Sequence, residues 1–154
     1  RTGRPFTGDY AGDLLYATLK KLGLAEGEYR ADPEDGFTLK GAMITNAVRC
    51  APPENKPTPE EIATCRPFLT ARIAALGQVR VLLALGSIAH ESVLRAHALK
   101  PAYAKFSHGG QAGLPGERML VSSYHCSRYN TQTRRLTADM FETVMAQAKA
   151  LAFA

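Results

Sequence analysis

No apolar run in this 154-residue sequence approaches the ~18 residues that a membrane-spanning helix needs, so no membrane role is expected. Cysteine is scarce: the three, at positions 50, 65 and 126, are too few and too scattered for a disulfide framework. A reducing, cytoplasmic compartment is the expectation. There is no internal repeat and no low-complexity segment, and 154 residues suit one domain around one hydrophobic core. Acid is nearly absent from one stretch, since between Arg95 and Arg135 seven Lys/Arg meet only Glu117. From Asp9 to Leu39 the balance reverses, with seven acids against three bases. The net charge of +5 therefore hides a polarised chain with one basic end. Such an end suits a polyanion, although a basic surface alone points as often to nothing specific.

What is present is organised around residues 42–65. Ala42 to Val48 is a short apolar run of the kind that makes a buried strand. It breaks at Cys50 into a loop stiffened by prolines at 52, 53, 57 and 59. A helix starts directly behind, with Thr58 as N-cap, Pro59 at the first helical position and Glu61 completing a capping box. Strand, rigid loop and helix would set Asn46, Arg49, Cys50 and Asn55 at the carboxyl end of a parallel sheet.

Upstream, the glycine- and proline-bearing turn at 1–9 carries Phe6 and Asp9. Phe6 is either a staple onto the core or a ring that stacks on a planar ligand. Asp9 by default caps the helix predicted over 10–22, whose apolar face is Ala11, Leu14, Leu15, Leu19 and Leu22 with Thr18 among them. Residues 23–40 read as an acidic loop. Downstream, a helix from Pro59 to Leu76 should be kinked or split at Pro67. Val79 to Leu85 reads as a strand, Gly86-Ser87 as a sharp turn, and Ile88 to Ala98 as a helix. Residues 99–117 read as irregular, Met119 to Ser123 as a strand and 125–133 as a polar loop. Thr137 caps a last helix running through Ala152. This alternation predicts an α/β fold, a three-layer α/β/α arrangement with a central parallel sheet. The loops at 46–55, 86–87 and 122–133 would then gather on one sheet edge, where ligands bind.

Four stretches in order carry a family likeness: Arg1-Thr-Gly-Arg-Pro-Phe-Thr-Gly-Asp9, Thr45-Asn-Ala-Val-Arg-Cys-Ala-Pro-Pro-Glu-Asn-Lys-Pro-Thr-Pro59, Leu83-Ala-Leu-Gly86 and Ser123-Tyr-His-Cys-Ser-Arg-Tyr-Asn-Thr-Gln-Thr133. Together they resemble the type-B, family 5 uracil-DNA glycosylases. The resemblance implies an α/β/α fold, a 4Fe-4S cluster held by four cysteines, and excision of uracil and other deaminated bases such as hypoxanthine from damaged duplex DNA. It matches Cys50 and Cys65 to the second pair of cluster ligands. The first pair and a Gly-Leu-Ala-Pro strand motif are expected upstream, which makes these residues the carboxyl-terminal portion of a longer, monomeric glycosylase whose first strand is missing here. Without the family, a Cys-x14-Cys pair reads equally as plain core. Cys126 is expected to be a bystander.

Carried over in the same way, Phe6 would stack on the extruded base and Asn46 would read its amide edge. Asp9 and Asn55 would position water at the sugar carbon, and His125 would stabilise the departing anionic base. Arg128, Tyr129 and Asn130 would enter the duplex, while Ser122 and Ser123 would touch phosphate. Two other classes fit the residues alone. A non-catalytic module could bind damaged bases or DNA with the same basic edge, and a nucleotide hydrolase could cradle phosphate in the Gly86-Ser87 turn.

Overall fold

The computed structural model describes residues 10–32, 34–45 and 58–153. They divide into two compact units, one of residues 10–45 with 124–147 and the other of 58–123 with 148–153.

In the first unit, α1 (Tyr10–Lys21) buries Ala11, Leu15, Thr18 and Leu19, the face its apolar spacing predicts. Thr18 settles on that face by donating its hydroxyl back to the Leu14 carbonyl oxygen at 2.8 Å. Tyr16 is also fully buried, packed against Tyr29 and Phe37 with ring centroids 4.7 and 5.2 Å away. The acidic stretch expected to be a loop contains a two-stranded antiparallel ribbon, β1 (Ala25–Glu26) and β2 (Thr38–Leu39). Its connection is held by Asp35, whose carboxylate oxygens accept from the Phe37 and Arg30 amides, both at 2.9 Å. Gly27 has φ +93°, and a Cβ there would lie 2.4 Å from the Gly36 carbonyl oxygen. Only glycine allows these two backbones to come so close.

In the second unit, α2 (Pro59–Ala75) begins with the expected capping box. The Thr58 hydroxyl accepts from the Glu61 amide at 3.1 Å, and Glu61 Oε1 accepts from the Thr58 amide at 2.8 Å. The helix is not split at Pro67; the proline and Ala63, the carbonyl it leaves without a helical donor, are both exposed, so water can serve there. Next come β3 (Val81–Leu85), α3 (Ser87–Ala96), a 3-10 turn at Pro101–Tyr103, β4 (Gln111–Leu114) and β5 (Arg118–Ser123). The sheet order is β3-β5-β4, parallel between β3 and β5 and antiparallel between β4 and β5. Ala84, Val93, Leu94, Leu114 and Leu120 make its core.

The α/β class expected from the sequence is therefore the class observed, with a small mixed sheet among the described residues. β4 was hidden in a region read as irregular, because Gln-Ala-Gly-Leu has little β propensity. Residues 42–45 form no strand, and the remainder of the expected first strand, 46–48, lies outside the described residues. The polar loop at 125–133 folds in part as α4 (Arg128–Gln132), and α5 (Ala138–Ala152) follows, its start capped by Thr137 Oγ1 accepting from Met140 N at 3.1 Å.

Candidate functional site

β5 lies between two neighbours in the sheet, and its last four residues, Leu120 to Ser123, are buried. Leu85 pairs with Ser123, so β3 and β5 end together and release their following turns on the same edge. The end of β5 is held from several sides. Gly86 N donates to Ser123 O at 2.8 Å and Gly109 N to Ser122 O at 2.7 Å. The buried His90 contacts Ser122 Oγ through Nδ1 at 2.6 Å and the Ala104 carbonyl oxygen through Nε2 at 2.7 Å. A carbonyl can only accept, so Nε2 is the donor there, and in the neutral ring Nδ1 accepts from the Ser122 hydroxyl. Phe106 closes over this imidazole edge-on, with ring centroids 5.5 Å apart. Ser122 and Ser123, expected to touch phosphate, are both buried in this conformation, and the Ser122 hydroxyl is committed to His90. The Gly86 amide, one of the donors a phosphate cradle would need, is likewise committed to β5.

After β5 the chain enters the polar motif. His125 is half-buried. Cys126 is fully buried and its thiol donates to the Ala11 carbonyl oxygen at 3.5 Å. Ser127 caps α4, its hydroxyl accepting from Asn130 N at 3.2 Å. The Asn130 side chain turns back on the motif, with Nδ2 donating to the His125 carbonyl oxygen at 2.8 Å, while its own carbonyl oxygen accepts from Leu136 N at 3.0 Å. The amide expected to meet DNA thus braces the histidine's backbone. Arg128 and Tyr129 point outward; Tyr129 is 72% exposed, and the Arg128 guanidinium carbon lies 5.3 Å from the Tyr10 ring centroid. Arg135 similarly covers Tyr124 at 5.5 Å. An exposed cation beside an exposed aromatic ring on a short, internally bonded turn can contact a phosphate and stack on a base.

The uracil DNA glycosylase superfamily matches residues 1–149 of the chain. The type-5 uracil-DNA glycosylase of Thermus thermophilus is 49% identical over 152 residues, which cover 99% of this chain and 69% of that protein. The type-5 enzyme of Mycobacterium bovis is 42% identical over 154 residues, covering 99% and 58%. That of Pyrobaculum aerophilum is 39% identical over 150 residues, covering 97% and 65%. The chain belongs to the type-5 uracil-DNA glycosylases. It spans 58% to 69% of the length of these three relatives.

Several type-5 site residues named from the sequence, Phe6, Asp9, Asn46, Cys50 and Asn55, lie outside the described residues. His125, Arg128, Tyr129 and Asn130 are brought together on and around α4. The 4Fe-4S cluster expected on Cys50 and Cys65 is corrected by the structure. Among the described residues no group of three or more His, Cys, Asp or Glu side chains is placed to hold a metal ion. Such a cluster needs converging thiolates, whereas the Cys126 thiol is turned to the Ala11 carbonyl oxygen. The sequence reading gave no role to His90 or Tyr10 and set Cys126 aside as a bystander. His90 could have been found, because it falls three and four residues before the apolar Val93 and Leu94 on the buried face of α3. No helix among the described residues is long and apolar enough to cross a membrane.

Proposed function

We propose that the chain is the working part of a DNA glycosylase that turns uracil, and other deaminated bases such as hypoxanthine, out of duplex DNA and hydrolyses the N-glycosidic bond, the first step of base excision repair. The observation that carries this reading is the likeness to type-5 uracil-DNA glycosylases along 97% to 99% of the chain. The motif around α4 fits it. Arg128 contacts the backbone phosphate, Tyr129 stacks on the bases left by the extruded nucleotide, and His125 donates to the pyrimidine carbonyl as negative charge develops there. Asn130 braces His125 through its carbonyl, which keeps the imidazole in place without touching substrate. Phe6 and Asn46 take the base by stacking and amide pairing, and Asp9 and Asn55 aim water at the sugar carbon.

The test is strand nicking after alkali, on duplexes with one uracil, hypoxanthine or normal base. Nicking at uracil and hypoxanthine but not at normal bases is expected. Uracil opposite guanine should react faster than uracil opposite adenine, because a mismatched base is easier to unpair. Absence of nicking at every damaged base would refute the proposal.

A further inference from the structure

Cys126 follows the candidate catalytic His125, and nothing in the chemistry above uses it. Its buried thiol nevertheless reaches the Ala11 carbonyl oxygen at 3.5 Å, and two residues later Arg128 lies over the Tyr10 ring at 5.3 Å. Tyr10 and Ala11 are the first two residues of α1. Alternate residues of the motif are thus docked on consecutive residues of one helical turn. One tie is a buried S–H···O bond and the other an outward cation–π contact.

We infer that Cys126 and Tyr10 are positioning residues that set the register of the His125 motif on the first turn of α1, the helix that Asp9 directly precedes in sequence. The inference deepens the glycosylase reading and rests on it. Fixing residues 126 and 128 fixes the whole motif, because the segment is bonded to itself: Asn130 N to Ser127 Oγ at 3.2 Å, Thr131 N to Ser127 O at 3.1 Å, and Asn130 Nδ2 to His125 O at 2.8 Å. A helix-borne carbonyl is a firm anchor, since its own backbone is held by the turn that follows. Cysteine fits a dry contact of this kind because its bulk is apolar and its proton donates only weakly. Tyr10 acts on Arg128 in a complementary way. A guanidinium stacked by its face keeps its N–H edge available for phosphate.

The experiment measures single-turnover excision at saturating DNA together with DNA affinity, in the polypeptide that carries this sequence. Cys126→Ala and Cys126→Val remove the donor, while Cys126→Ser keeps one. Displacing His125 slightly should slow the chemical step on the order of 10-fold in the Ala and Val variants with affinity unchanged, and serine should recover most of the rate. Tyr10→Ala should weaken DNA affinity by about fivefold and Tyr10→Phe should leave it unchanged, as expected for a cation–π contact. The inference is overturned if Cys126→Ala excises at the parent's rate, or if Cys126→Ser is as slow as Cys126→Val. If the parent itself excises nothing, the glycosylase reading fails separately, and amide exchange decides the positioning role. Exchange at Asn130 and Thr131 faster by about 10-fold in Cys126→Val supports it, and unchanged exchange overturns it.

Discussion

Arg118 opens β5, and its guanidinium donates to the carbonyl oxygens of Val79, Ile73 and Leu76 at 3.1, 3.2 and 2.8 Å. Ile73 lies in the last turn of α2 and Leu76 is its C-cap. The cation therefore sits at the negative end of the helix dipole and supplies donors that a helix end lacks. Ile73 O also accepts from Leu76 N, and Leu76 O from Val79 N, so truncating Arg118 strips those two carbonyls only in part. Val79 O loses more. One lost charge-assisted hydrogen bond, two weakened ones and the dipole contribution together make Arg118→Ala cost about 2–3 kcal/mol. In a chain of this size that lowers Tm by roughly 5–10 °C. Arg118→Lys keeps the charge but not the fork, and should lose about half as much. Because all the acceptors are neutral, the loss should persist in about 1 M NaCl, where an exposed ion pair would be screened. Urea denaturation of the parent and both variants at low and high salt measures this. A cost for Arg118→Ala below about 0.5 kcal/mol, or a lysine variant as stable as the parent, would refute the clamp.

Other perturbations give separable outcomes. Gly27→Ala forces a Cβ to 2.4 Å from the Gly36 carbonyl at φ +93°, and thermal denaturation should show a loss of about 2 kcal/mol or more. Thr58→Ala removes the side-chain half of the α2 capping box while leaving the residue 58 amide to Glu61, and should cost about 1 kcal/mol in urea, with Thr58→Ser recovering most of it. His125→Ala should slow single-turnover excision by about 10²-fold with DNA affinity nearly intact, since its bond forms as charge develops in the transition state. Arg128→Ala should instead weaken DNA binding across all sequences and reduce the salt dependence of affinity by about one phosphate contact.

Elements with a strong local signature were legible in the sequence. The Thr58–Glu61 capping box, the leucines of α1 and the apolar run of β3 each state their conformation within a few residues. What escaped depends on partners distant in the chain. Tyr16 is buried because Tyr29 and Phe37 come back to meet it, and β4 exists because β5 supplies its hydrogen bonds. α4 carries no apolar period; a serine cap and threonine hydroxyls returned to the backbone define it. At the candidate site the motif residues could be named from sequence likeness, but the division of labour within them could not. Asn130 turns inward to His125, while Tyr129, one residue earlier, is turned out. The cysteine pair shows the opposite failure. A spacing that likeness tied to a cluster corresponds to no metal-holding group among the described residues.

The most direct test of the account is to identify what leaves the DNA. A duplex with one uracil opposite guanine is incubated with the polypeptide, and both the small-molecule fraction and the strand are analysed by mass spectrometry. The account predicts free uracil and an intact strand carrying an abasic sugar at that position. Release of a nucleotide, or tight binding with the uracil still attached, would contradict it.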